Sequence, residues 1–587
     1  MASEGSEAGP LSRVWESKYS ERRSERLYKA EDPRVSADQS LFHSGNSLLD
    51  LLENGDIPSL TRSFLRFSRD CLEAPSEHTD VALRRFLAAA TRQELQSNQL
   101  PAANLAPKTI MLDDRRDPEV GRSTTRRWDG PGGYLEYPPE GVDVWPEQAI
   151  ALSLSDFLSR LKESVRIPLL RIVSWLSMTQ RYEKKAERRI IYISDITASC
   201  MVAIAATAAE RSIADLREFF SGLLLFRTVF RISLDATFAL EFHIPFLALR
   251  VGNSVLDRRE LGGKQLRNCR VLPLPREQEK TSFYYESQVS FLAVGIDEWL
   301  WTAYCCVDNF YGKETYRKDC LDYKLDPASG GSLWLNEPVW NPRQYFLAIL
   351  SRRMKQAMWE WTALVNCFFD RLDYYETSFS ILDDEKMTRT RELSIAVSCL
   401  REFRDNLSST VRAWDNFESN YINLFEAPKF PKLQDLWLAY VVQIRVSVFR
   451  LKDLQALMSQ KLDRFNSMRD GLVNASALKE SAEATRQGSN IGILTRMTVL
   501  TRCTSIALPS FVPGHVFSVA MLPQSNWLWF GYGVLLCSSI VATVSAARRP
   551  ALLDLIFAAE QSKSKSKSDH AAGSGTGTRK AMGGDAS

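Results

Sequence analysis

Residues 503–522, CTSIALPSFVPGHVFSVAML, and residues 527–547, WLWFGYGVLLCSSIVATVSAA, are separated only by PQSN at 523–526. Neither outer segment carries an acidic residue, a lysine or an arginine. At about 1.5 Å per residue each makes a helix of roughly 30 Å, the thickness of a bilayer core. Hydrocarbon offers bare backbone amides no partner, so both segments are expected to be helical there. The turn is short and polar, so the second helix returns to the side the first came from. The alternative is a buried helical pair in a large soluble domain. Against it stand Trp527 and Trp529, placed as an aromatic belt, and the basic flank of Arg548, Arg549, Lys563, Lys565 and Lys567. The expectation is a multi-pass membrane protein with the lipid bilayer as partner and both termini on the cytoplasmic side.

Upstream, no proline occurs between Pro431 and Pro509. Leu451, Leu454, Met458, Phe465, Met468 and Leu472 keep a heptad-like spacing, with Lys461 as the polar member. Continued into the first crossing, this helix spans about 90 residues, or roughly 135 Å. Gly471, Gly488 and Gly492 weaken it by about 1 kcal/mol each relative to alanine and are candidate flex points. The plainer reading is a coiled-coil spacer that holds subunits together.

The remaining chain divides by composition. Residues 1–45 are charged and poor in apolar side chains, which predicts disorder. Residues 46–335 read as a cytosolic domain of mixed helices and strands. Phe238, Leu240, Phe242, Ile244 and Phe246 alternate as one face of a half-buried strand, and Pro245 puts its end at an edge or bulge. His243 then lies on the opposite face beside Glu241, as a surface or second-layer histidine. Further strands are expected at 290–295 and 301–307. The stretch 196–209 is uncharged but too short to span a bilayer. Residues 113–146 read as loop, and GPGG within them as a turn cluster, since no Gly-Lys-Ser/Thr follows. Residues 336–502 form a helical stalk, with one helix starting after Pro342 and a second near 389–417. The tail, 548–587, is low in complexity and expected to be disordered.

With a net charge of +3 over 587 residues, there is no case for a nucleic-acid partner. The ten cysteines contain no CxxC pair and read as buried free thiols of a reducing compartment. The five histidines are unpaired, and no nucleophile–base–orienter set is visible, which leaves a membrane-anchored enzyme with little support. Asp383-Asp384-Glu385 reads as a solvated patch, and no cytosolic metal site is assigned.

On a helix, Met497, Thr504, Leu508, Phe511, His515 and Ser518 fall on one stripe, with Leu500 and Thr501 at its edges. Threonine, histidine and serine suit a bundle interior or pore better than lipid. One hairpin cannot enclose a pore, so several copies must surround it.

A very long cytosolic helix running into a C-terminal hairpin resembles the CorA-type divalent-cation transporters, and within them the fungal CorA-like branch. LTRCTSIALPSFVPGHVFSVA lies over that family's first-helix pattern, and FALEFHIPFLALR, EWLWTAYCCVDNF and PVWNPRQYFLAILSRR are similar to the branch. The resemblance covers roughly residues 145–550. It implies a homopentamer with an α/β cytosolic domain on a helical funnel, the first crossings lining the pore. The pore-side positions it implies are Leu500, Leu508, Phe511, Ser518 and Ala520. Thr504 and His515 join them from the stripe. The family's Gly-Met-Asn mouth is replaced by Ser518-Val519-Ala520, so no side-chain amide is present to hold a hydrated ion. The fold class expected is α+β: a mixed α/β cytosolic domain, a very long helical stalk and a two-helix transmembrane hairpin. The function expected is passage of a divalent cation, magnesium or zinc, with altered selectivity and no cofactor. The alternative is a non-conducting scaffold or signalling protein on the same fold.

Overall fold

The computed structural model describes residues 14–22, 48, 51–52, 56–66, 77–95, 110–115, 150–152, 155, 158, 187–312, 325–379, 383–384 and 386–521. It contains two compact units, Met1–Lys479 and Glu480–Ser587.

The first unit is organised by an eight-stranded sheet. Its strands are β1 (Ile110–Arg115), β2 (Ile150–Leu152), β3 (Arg188–Ser194), β4 (Val229–Leu234), β5 (Phe238–Val251), β8 (Cys269–Val271), β9 (Ser282–Gly295) and β10 (Trp301–Val307). A separate ribbon pairs β6 (Glu260–Leu261) with β7 (Lys264–Gln265). The order is β2-β1-β3-β10-β9-β5-β4, and β8 pairs with the early part of β9. Only β3 and β10 run parallel; the other described pairs are antiparallel. Asp113, Asp114 and Arg115 belong to β1, so the stretch read as loop opens with the end of a strand.

Helices cover both faces of the sheet. On one side lie α2 (Ile57–Arg66), α3 (Glu77–Leu87), α5 (Ala198–Thr207) and α6 (Ile213–Leu224), and between α3 and α5 in the chain comes the short α4 (Arg92–Leu95). On the other lie α7 (Pro342–Thr377), α8 (Thr388–Tyr421) and the first part of α9 (Pro431–Met521). The uncharged stretch near 196–209 is α5, buried along its whole length.

The alternating phenylalanines of β5 face α7 and α8, as the two-residue period requires. The strand is not half-buried, however. Ala239, Glu241 and His243 on its other face lie under α6, and residues 238–248 are all buried. Pro245 keeps its edge position: β4 stops pairing at His243, so beyond it β5 has only β9 as sheet neighbour.

The helix expected after Pro342 begins at that residue. The Asn341 side chain accepts from the backbone N–H of Arg343 (2.9 Å) and Gln344 (3.1 Å), while proline at the first helical position has no N–H to leave unpaired. Phe346, Leu350, Ala357, Trp361, Leu364 and Phe368 form its buried stripe. The heptad-like seam of α9 is filled within the chain. Leu451, Leu454, Met458, Phe465 and Leu472 are buried in the same core as α7 and α8. Lys461, the polar member, pairs with Asp373 and Glu376 of α7. That seam is therefore not a free coiled-coil face.

The expectation of disorder over 1–45 does not extend to residues 14–22. They include a single helical turn, α1 (Ser17–Ser20), whose Tyr19 is fully buried. The rings of Trp15 and Tyr19 lie 5.4 and 5.9 Å from that of Phe238. Tyr19 Oη donates to the Asp235 carbonyl at 2.7 Å, and the Glu298 N–H donates to the Tyr19 carbonyl at 2.9 Å. Beside them is Arg343. Its guanidinium sits 4.5 Å from the Trp15 ring centroid and 4.6 Å from that of Trp437, in the second turn of α9. It also donates to Glu298 Oε1 at 3.0 Å and to the Leu424 carbonyl at 2.8 Å. Burial pushes its pKa down, against the pull of Glu298.

In the second unit, Ile491, Ile493, Leu494 and Met497 of α9 are exposed. Gly471, Gly488 and Gly492 fall inside the helix without interrupting it, and a Cβ at any of them would meet nothing within 4 Å. Among the described residues no helix is long and apolar enough to cross a membrane. The second predicted crossing, 527–547, and the tail, 548–587, lie outside the described residues. Of the first crossing only the backbone, through Met521, is described.

Candidate functional site

All seven residues expected at the pore lie in the last turns of α9, which runs through Pro509 and Pro513. Leu500, Thr504, Leu508, Phe511, His515 and Ser518 follow one another at three- and four-residue steps, the spacing of a single helix face. Ala520, two residues beyond Ser518, falls on another face of the helix. Apolar and hydrogen-bonding residue types are mixed along that face.

The sheet domain holds two buried polar centres that the sequence did not announce. The first is His243, read as a surface or second-layer residue and found fully buried. Its Nε2 lies 2.9 Å from Glu241 Oε1 and its Nδ1 2.7 Å from Ser290 Oγ. Arg231 of β4 binds Glu241 and also reaches Glu218 on α6. Burial alone would raise the Glu241 pKa, but Arg231 and His243 outweigh it and hold the carboxyl below its ordinary value. Gln288 Nε2 donates to Ser290 Oγ at 3.0 Å and to the Gly222 carbonyl at 3.3 Å, and Phe219 stacks on the imidazole at 5.1 Å.

Serine, histidine and glutamate in a row suggest a hydrolytic triad, which the sequence had not revealed because Ser290 is 47 residues from His243. The geometry does not perform that chemistry. Ser290 and His243 are both 0% exposed, so no substrate carbonyl can reach Oγ. The imidazole fits only because residue 222 is glycine: a Cβ there would stand 2.6 Å from Nε2. The cluster joins α6 to β4, β5 and β9.

The second centre sits at the ends of the parallel strands, where open α/β sheets commonly bind ligands. Asp308, just after β10, accepts from Arg267 at 2.6 Å and pairs with Arg259 at 2.8 Å. Arg259 also binds Asp257 at 2.7 Å. Asp195, just after β3, accepts from the Asn309 N–H at 2.7 Å. Burial raises the Asp308 pKa, but the two arginines overcome it and keep the group ionised. Two guanidinium groups occupy the place a ligand would take, and they fasten the 257–267 segment to the sheet.

Among the described residues no group of three side chains is arranged to hold a metal ion. Asp383 and Asp384 serve α8 instead. Asp383 accepts from the backbone N–H of Arg389 (3.1 Å) and Thr390 (3.0 Å), and Asp384 from that of Thr388 (2.7 Å). Glu385 lies outside the described residues.

No family model matches the chain. No curated protein matches it either. Several solved structures are similar in part, two of them forms of one transporter. The soluble domain of CorA from Methanocaldococcus jannaschii is 12% identical over 50% of this chain and 90% of its own, with a TM-score of 0.27. The complete CorA magnesium transporter from the same organism is 13% identical over 65% of this chain and 94% of its own, again with a TM-score of 0.27. At that score neither likeness decides what this chain does.

Proposed function

We propose that this protein is a CorA-like membrane protein that passes a divalent cation, magnesium or zinc, along a pore made by several copies of α9. Five copies is the number the family resemblance implies, and both termini face the cytoplasm. The observation that supports the reading is the composition of one helix face. Leu500, Leu508 and Phe511 supply apolar rings, while Thr504 between the first two and His515 and Ser518 beyond the third offer oxygen or nitrogen. Hydrated divalent ions give up water reluctantly, so a face that hydrogen-bonds the hydration shell suits them. Alanine at 520, off that face at the end of α9, where the resemblance implies the family's asparagine at the pore mouth, alters selectivity.

A second reading is kept because of that same alanine. Without a side-chain amide at the mouth, the protein is a non-conducting scaffold that retains the fold. Reconstitution in liposomes carrying a divalent-ion reporter separates the two. Transport predicts measurable flux for the native chain and a higher magnesium flux for Ala520→Asn. An inserted oligomer that passes neither magnesium nor zinc in either form overturns the transport reading.

A further inference from the structure

We propose that residues 14–22 act as a detachable clamp on the root of α9. They form a short internal peptide whose release frees the first turns of that helix. The inference stands on the geometry around Arg343 and does not need the transport reading.

The clamp joins several parts of the chain. Tyr19 ties the β4–β5 turn at Asp235 to the β9–β10 turn at Glu298. Trp15 covers the guanidinium that also stacks on Trp437. Arg22 reaches Glu187, the residue before β3, at 3.4 Å. What lies beneath is apolar or charged and sheltered: Phe238 is fully buried with Trp15 and Tyr19 against its ring, and Arg343 is 7% exposed.

The clamp itself is lightly held. Its helix is one turn long and has no side-chain cap. Tyr19 is its only buried residue, and Val14, Glu16, Ser17, Glu21 and Arg22 are exposed. Trp15 Nε1 is buried without a hydrogen-bond partner, a donor that water would satisfy on release. Segments with few buried contacts open locally without unfolding the domain. When this one opens, water reaches Arg343, the hydrated cation holds Trp437 less well, and α9 loses a fastening at its base.

Hydrogen exchange on the full-length protein tests this. In the native chain, amides of 17–21 are expected to exchange by a sub-global opening, at denaturant concentrations that leave β5 and β9 protected. In the Trp15→Ala/Tyr19→Ala double variant, amides of 435–441 are expected to exchange about tenfold faster while those of 284–293 do not change. A synthetic peptide of residues 11–25 added to that variant is expected to restore protection at 435–441. Exchange of 17–21 only together with the sheet overturns the proposal, because the segment is then an integral part of the fold. Unchanged exchange at 435–441 in the double variant overturns it as well. If the double variant does not fold, the native-chain measurement alone decides.

Discussion

Arg343 Nη2 lies 3.0 Å from Glu298 Oε1, and the two side chains are only 8% and 2% exposed. A pair so sheltered has given up most of its hydration. Its net contribution to stability is small beside the cost of breaking it from one side. Glu298→Gln is expected to destabilise the domain by about 3–5 kcal/mol, because it strands a buried guanidinium. Adding Arg343→Met removes the stranded charge, and the double variant should recover part of that loss. Urea titration of the two single variants and the double checks it. A double variant as unstable as the sum of the singles would show that the pair is not what couples them.

Gly222→Ala sets two effects against each other. Alanine in a helix interior gains up to about 1 kcal/mol over glycine. Here its Cβ would stand 2.6 Å from His243 Nε2 and 2.9 Å from Cδ2. The imidazole is held by Glu241, Ser290 and Phe219 and has no room to retreat, so overpacking of about 1–3 kcal/mol exceeds the gain. A net loss of stability is expected. A thermal melt in which Gly222→Ala is more stable than the native protein would contradict the packing described around His243.

Asp383 sets an acid limit for the start of α8. A little burial raises its pKa, but hydrogen bonds from the Thr390 hydroxyl and the backbone of Thr390, Arg389 and Asp384 hold it at about 2. The folded pKa is below the ordinary 3.8. The stabilisation is therefore present above that value and disappears as pH falls toward about 2. Fraying of the first turn of α8 is expected in this window, followed by NMR of the amides at 389 and 390. Asp383→Asn should keep the cap but lose the steep acid dependence. Amides as well protected at pH 2 as at pH 5 would refute the assignment.

The thiols divide by burial. Cys305 is pushed up to about 12, chiefly by burial, and Cys306, in the core on the opposite face of β10, is likewise raised by burial. Cys269 and Cys367 are partly exposed. Alkylation at pH 8 should modify Cys269 and Cys367 in the folded protein and reach Cys305 and Cys306 only after denaturation, since the thiolate is the reacting form. Mass mapping after a short pulse reads this directly, and early labelling of Cys305 would count against the buried strand.

His515 carries the zinc option of the proposed pore. His515→Ala is expected to lower zinc flux in liposomes and spare magnesium flux, because imidazole suits zinc and magnesium prefers oxygen. Equal loss of both would reduce His515 to a packing residue.

Much of the sheet domain was legible because its signals are local. Asn341-Pro342 marks a helix start by itself, and the expected strand at 301–307 coincides with β10. The buried faces were harder. Glu241 and His243 looked solvated because their partners, Arg231, Ser290 and α6, are distant in sequence. The seam of α9 carried the right spacing, but a heptad does not say whether the facing helix belongs to the same chain. In the N-terminal stretch the missed signal was Trp15 and Tyr19, two aromatics one helical turn apart in a charged context. The proposed pore face rests on helix periodicity alone, since assembly is a property of several chains.

The parallel pairing of β3 with β10 joins residues 113 positions apart, Arg188 with Trp301 through Ser194 with Val307. During synthesis at about 5–20 residues per second, β3 therefore waits roughly ten seconds for its neighbour to leave the ribosome. Until then Ile190, Ile191 and Ile193 form one margin of an unfinished sheet, with backbone groups open to any passing strand. Biogenesis of this protein should thus depend on holdase chaperones during translation. Slowing elongation between codons 195 and 300 should increase aggregation more than slowing it after codon 310.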